Sequence, residues 1–187
     1  MAEENLLGIL TFIKNCEGLK KTLRTAWLSN GQQEDTAEHS FRLALLTSCL
    51  LPYFPEVHPQ KALEMALIHD LAECLTGDIS AYLKPDATVK VRDEEAAFQE
   101  LIASLPIAQQ KHYLELFTAY NHDATPEAHL IKALDKAETI IQHNQGSNPP
   151  DFSYAFNLSY GKKFFNDPLL QQLRAQLDAE TQKKLEK

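Results

Sequence analysis

The sequence predicts an all-α protein. Apolar residues recur at helical spacing, beginning with Leu6, Leu7, Leu10 and Ile13, and no alternating run of useful strand length accompanies them. Capping residues, prolines and glycines then divide the chain into helices of ordinary length.

Each later element has its own signal. In QEDTAEHSFRLALLTSCLL, Asp35 or Thr36 serves as N-cap and Glu38 sits in the first turn, so a helix should run from there until Pro52 stops it. Pro59 suits the first turn of a helix passing through Ala62, Leu63, Leu67 and Leu71, with Gly77 just past its end. A polar link around Lys84 to Thr88 precedes a helix from about Val89 to Leu105; Pro106 marks a break, and another helix carries Leu114 and Phe117. Thr125-Pro126-Glu127 opens a helix through Leu130, Leu134 and Ile141, which places Asp135 in its interior. NQGSNPPD, residues 144 to 151, reads as a loop, followed by a Tyr/Phe-rich stretch and a last amphipathic helix opened by Asp167-Pro168.

The 187 residues suit one domain able to bury a core without disulfides or structural metal. With 18 basic and 26 acidic residues the net charge is -8, which repels both a phosphate backbone and an anionic membrane and argues against nucleic-acid and membrane partners. Cys16, Cys49 and Cys74 lack Cys-x-x-Cys spacing and lie in leucine-rich surroundings, as reduced, packed cytosolic thiols do. The start MAEEN is acidic, unlike a signal peptide, and no apolar run approaches the roughly 20 residues that span a bilayer.

IHDLAECLTGD, residues 68 to 78, gathers four ionisable groups at the end of an apolar helix. At helical spacing Ala62, Ala66, His69 and Glu73 form one stripe, while Asp70 points about 100° away. His69 and Asp70 can share one ion only at a seam between helices, where other helices supply the remaining ligands. His39, near the start of its helix, and the interior Asp135 are the candidates. Two imidazoles and two carboxylates make a mixed nitrogen and oxygen site suited to one divalent ion: manganese, cobalt, iron or zinc.

His39, the His69-Asp70 pair and Asp135, in that order on successive helices, resemble the signature of the HD-domain metal-dependent phosphohydrolases. LRTAW, AEHSFRLALL, ALIHDLAECLTGDI, TPEAHLIKALDKAE and DPLLQQLR extend the resemblance over nearly the whole chain, to the subfamily of bacterial and eukaryotic 5'-deoxynucleotidases. The resemblance implies an HD core over about residues 20 to 145, a C-terminal helical extension over about 150 to 187, and a homodimer. It implies that the four HD residues hold one divalent metal, that Glu73 and Asp78 serve the active site, and that Arg24, with Trp27 nearby, helps to hold a nucleotide substrate. Two departures stand out. The best-known bacterial members have the arginine and tryptophan adjacent, whereas Thr25 and Ala26 separate them here, and Ala81 stands where those enzymes tend to carry threonine.

Plainer readings exist: His69 alone could be a core histidine satisfied by a backbone carbonyl. Asp135 could pair with Lys132, Glu73 could be a helix-surface charge, Asp78 could satisfy the turn after Gly77, Arg24 could belong to a solvated cluster with Lys20 and Lys21, and Trp27 could be core. The second pair, His122-Asp123, precedes Thr125-Pro126 and reads as a loop and cap, as His58-Pro59 reads as a helix entrance. At the level of activity the rivals are an HD phosphohydrolase for cyclic nucleotides, triphosphates or guanosine tetraphosphate, and a noncatalytic nucleotide-binding helical module.

Overall fold

Helix α7 (Pro126–Gln145) forms the centre of the molecule, and α2 (Thr36–Leu50), α3 (Pro59–Ile68), α6 (Ile107–Asn121) and α8 (Pro168–Leu185) pack around it. The computed structural model describes residues 2–83 and 86–186. Among these, α1 (Ala2–Asn15), α4 (Glu73–Thr76) and α5 (Ala87–Ile102) complete a set of eight α-helices. Lys84 and Pro85, in the polar link expected from sequence, lie outside the described residues. Leu130, Ile131, Ala133, Leu134, Ala137 and Ile140 bury α7 on nearly every side, the pattern of a helix inside a core.

The sequence signals for helix starts operate as written. Asp35 Oδ1 accepts from the Glu38 amide at 2.8 Å and Glu38 Oε2 accepts from the Asp35 amide at 3.1 Å, a closed capping box that fixes the first turn of α2. His39 follows directly. Thr125 caps α7 and Asp167 caps α8 through side-chain oxygens that accept from first-turn amides, each with proline at the first helical position.

Three features differ from the sequence reading. A small antiparallel hairpin joins β1 (Leu23–Trp27) to β2 (Gln33–Asp35), with Leu23 opposite Asp35 and Trp27 opposite Gln33. Its strands are short and the register slips between these pairs, so no alternation marks it in sequence. Gly31 turns the hairpin at φ +85°. The second difference lies at the motif helix, which ends at Ile68 and does not continue to Gly77. His69 Nδ1 approaches the Ala66 carbonyl at 3.0 Å, the acceptor that a continuing helix would offer to the Asp70 amide. Beyond it the backbone tightens to bonds three residues apart, Leu71 to Ile68, Glu73 to Asp70 and Cys74 to Leu71, leading into the first turn of α4. Third, Cys49 is exposed, whereas Cys16 and Cys74 are half-buried; all three are free thiols.

The hairpin is locked onto α7 by backbone contact. Gln142 Nε2 donates to the Trp27 carbonyl at 2.6 Å, and a Cβ on Gly146 would lie 2.2 Å from that same oxygen, so only glycine permits the approach. No described helix is long and apolar enough to cross a membrane.

Candidate active site

His39 from α2, His69 and Asp70 from the end of α3, and Asp135 from α7 converge at one seam. His39 Nε2 lies 3.2 Å from Asp135 Oδ1 and 3.8 Å from Asp70 Oδ2; His69 Nε2 lies 3.0 Å from Asp70 Oδ2 and 4.0 Å from Asp135 Oδ1. Each imidazole is fixed through its other nitrogen. His39 Nδ1 pairs closely with Glu138, and His69 Nδ1 with the Ala66 carbonyl. Both Nε2 atoms are thereby directed at the same point, where they are buried yet outside hydrogen-bond geometry. Histidines oriented through Nδ1 with bare Nε2 atoms facing carboxylates fit a shared divalent cation, and the nitrogen and oxygen donor set suits a transition metal.

The electrostatics agree. Burial and the Arg24 charge oppose protonation of His39, yet Glu138 and Asp135 overcome them and raise its pKa to about 9. Burial also works against ionised Asp70, but His69 and His39 hold its carboxyl well below the ordinary range. The pocket attracts positive charge, and a cation at Nε2 would displace the imidazole proton.

Asp135 divides its two oxygens. Oδ2 accepts from Tyr120 Oη at 3.0 Å and pairs with Lys136 Nζ at 2.5 Å, leaving Oδ1 toward the imidazoles. The lysine partner is thus Lys136 and not the Lys132 weighed from sequence; Lys132 Nζ stands 4.2 Å from the centre of the Tyr120 ring. Interior placement without such partners would cost several kcal/mol.

A cavity of about 210 Å³ opens beside this seam, lined among others by Arg24, Asp70, Glu73, Asp78, Asp135 and Lys136. Arg24 leaves the solvated-cluster reading behind. Its Nε donates to Glu34 Oε2 at 3.2 Å, Nη1 to Asp70 Oδ2 at 3.4 Å and Nη2 to Thr139 Oγ1 at 3.2 Å. Glu73 is buried, not a surface charge; the Thr36 hydroxyl donates to its Oε2 at 3.1 Å. Burial, with Asp70 and Asp78 nearby, pushes the Glu73 carboxyl up to about 9, and burial likewise raises Asp78. Ser80 and Ala81 both line the same wall.

Trp27 stands apart from this group. It lines an adjoining cavity with Phe152, and the two rings meet edge to face at 6.1 Å. The two intervening residues in LRTAW lie within the irregular stretch of β1, so Arg24 serves one cavity and Trp27 the next. His122 and Asp123 lie away from this seam: His122 Nε2 reaches across to α5, 3.6 Å from Glu95, and Asp123, at φ +51°, meets His129 Nδ1 at 3.2 Å.

The HD domain family model matches residues 16–174, most of the chain. The chain belongs to the HD-domain family. Among relatives of this HD protein, the 5'-deoxynucleotidase HDDC2 of Bos taurus is 30% identical over 186 residues, covering 96% of this chain and 89% of the relative. The 5'-deoxynucleotidase hdd1 of Schizosaccharomyces pombe is 35% identical, covering 73% of this chain and 71% of its own length. A conserved hypothetical protein from Pyrococcus furiosus has a similar structure, with a TM-score of 0.72 at 27% identity over 91% of this chain and 99% of that one. A predicted metal-dependent phosphohydrolase from Magnetospirillum magnetotacticum shares the fold, with a TM-score of 0.82 at 24% identity over 100% of this chain and 95% of that one.

The HD site contains residues that the sequence reading did not single out: Glu34, Lys90, Lys136, Glu138, Thr139 and His143. Several carry a legible signal. Asp135, Glu138, Thr139, Gln142 and His143 recur at helical spacing along one face of α7, a polar stripe on a helix otherwise buried in apolar contacts. Glu34 and Lys90 have no such mark, because pairing with Arg24 and placement on the cavity wall depend on tertiary packing.

Proposed function

We propose that this HD protein hydrolyses deoxyribonucleoside 5'-monophosphates to deoxynucleoside and phosphate, with a divalent cation held by His39, His69, Asp70 and Asp135. The observation that carries the proposal is the pair of buried, bare Nε2 atoms directed at two carboxylates beside a cavity that also holds Arg24 and Lys136. The similarity to the 5'-deoxynucleotidases of Bos taurus and S. pombe supports the substrate class. Manganese, cobalt, iron and zinc all suit the donor set. We place the enzyme in the cytosol, in keeping with its three free thiols, and as a homodimer, for which the exposed Leu6, Leu7, Leu10 and Ile13 of α1 offer apolar surface.

Bound there, a divalent cation supplies Lewis acidity toward phosphate and makes water more acidic. The chain's own groups do the rest. Arg24 is held rigidly by Glu34 and Thr139, so its guanidinium is already oriented for phosphate oxygens when substrate arrives. In the reaction a water oxygen bonds to phosphorus, the bond from phosphorus to the 5'-oxygen breaks, the leaving oxygen takes a proton, and the proton that the water gives up restores the donor. Glu73, held by Thr36 at the cavity wall, delivers the leaving oxygen's proton, and Asp78 borders the sugar.

Phosphate release from a panel of nucleotides with each metal tests the proposal. Deoxyribonucleoside 5'-monophosphates should be turned over fastest; far faster release from triphosphates or cyclic nucleotides, or none with any metal, overturns it. A narrower test concerns Arg24. Arg24→Ala should lower kcat/KM on the order of a hundredfold, as loss of one charge-stabilising donor does. Metal should bind at least as tightly, since a positive charge 3.4 Å from Asp70 is gone. Unchanged kinetics would remove Arg24 from substrate binding.

A further inference from the structure

The second cavity, of about 190 Å³, shares Thr25, Ser80, His143 and Phe156 as walls with the first. Each alone falls short of the roughly 300 Å³ at which small-molecule sites begin, and together they exceed it. Their chemistry differs sharply. The first carries charged groups for an anion; the second is walled by Trp27, Tyr82, Phe152 and Phe156. A ligand spanning both must be anionic at one end and flat and apolar-faced at the other.

The aromatic wall is built, not incidental. Tyr82 meets Phe156 at 5.7 Å, and Phe152 meets His143 at 4.8 Å, all edge to face. The segment is anchored from beneath: His143 Nδ1 lies 2.8 Å from Asn157 Oδ1, Arg174 Nη2 donates to the Asn157 carbonyl at 2.6 Å, and Asn148 Nδ2 donates to the Tyr154 hydroxyl oxygen at 2.9 Å. Phe152 and Phe156 nevertheless stay partly exposed on the cavity side of a firmly held loop.

We infer that this second cavity is the nucleobase subsite, with Trp27, Phe152 and Phe156 as its stacking surface. The inference rests on the proposed nucleotidase reading and assigns a purpose to the Tyr/Phe-rich stretch after the 144–151 loop. It also gives Trp27 a contact with the base rather than with the phosphate.

Trp27 is the only tryptophan in the sequence, so its fluorescence reports on this cavity alone. Titration of the intact protein with dAMP should quench that emission, and 2'-deoxyribose 5-phosphate, which lacks a base, should leave it in place. In steady-state assays of the metal-loaded enzyme, dAMP should show a lower KM than the sugar phosphate. Phe152→Leu should shrink that advantage by roughly tenfold, the range for losing one stacking partner. Because the ratio is taken within each variant, partial loss of folded protein cancels. Phe156→Leu provides a second reading in the same direction. Equal KM values for the two substrates with no quench, while both are hydrolysed, would overturn the base subsite alone. Hydrolysis of neither would overturn the nucleotidase reading beneath it.

Discussion

Replacing His69 by alanine or Asp70 by asparagine should weaken divalent-metal binding at least a hundredfold. Loss of a group that merely orients a ligand already costs about 10- to 100-fold, and these two residues present their atoms directly at the seam. The effect has a thermal readout that does not depend on turnover. At a metal concentration 100 times Kd, binding stabilises the folded chain by about 2.7 kcal/mol, a Tm rise of roughly 5 to 10 °C for a chain of this size. The wild-type protein should show that rise, and both variants should lack it at the same metal concentration. Asp70→Asn keeps the shape of the side chain, so a lost response there reflects lost charge rather than lost packing. Wild-type metal content and an undiminished thermal shift in both variants would overturn the ligand assignment.

The positions of the four proposed ligands were legible in the sequence to different depths. His39 follows a capping box whose two residues, Asp35 and Glu38, stand three apart in sequence, so its place near the start of α2 could be read locally. Asp135 stood out as a carboxylate inside an apolar helix, a placement that demands partners; which partner could not be read, and it is Lys136, the adjacent residue, rather than Lys132 one turn back. His69 and Asp70 were legible as a pair but not in their geometry. An unbroken helix would send them about 100° apart. No proline or glycine announces the break after Ile68; it accompanies His69 turning its Nδ1 back to the Ala66 carbonyl, a choice made by side-chain packing.

The hairpin was illegible for a related reason. Leu23, Arg24, Thr25, Ala26 and Trp27 show no clean period of two, and their strand partner is three residues long with a slipped register. Long-range bonds hold it instead: the Thr36 amide to the Thr22 carbonyl at 2.9 Å, and Gln142 across to Trp27. The same hairpin carries Arg24 to the first cavity and Trp27 to the aromatic one, with Thr25 between them lining both.

Glu73→Gln should cost on the order of a hundredfold or more in kcat while leaving metal content and folding intact. On this proposal Glu73 is placed to act on substrate rather than to be a fifth ligand. The tightened turn between Ile68 and Glu73 points Asp70 into the seam and sets Glu73 further along the cavity wall, where the Thr36 hydroxyl holds Oε2 at 3.1 Å. Its backbone is held as well, the Thr22 hydroxyl donating to the Glu73 carbonyl at 3.2 Å, so the carboxyl has little freedom to swing elsewhere. Burial beside Asp70 and Asp78 favours its protonated form, which is the form a proton donor to a leaving 5'-oxygen must occupy. Glutamine preserves the volume and the contact with Thr36 but has no proton to give near neutral pH. Stopped-flow or steady-state phosphate release, run beside metal analysis and a thermal melt on the same sample, separates the possibilities. Near-normal turnover in Glu73→Gln would exclude proton transfer by this residue, and loss of metal from an otherwise folded variant would make Glu73 a ligand.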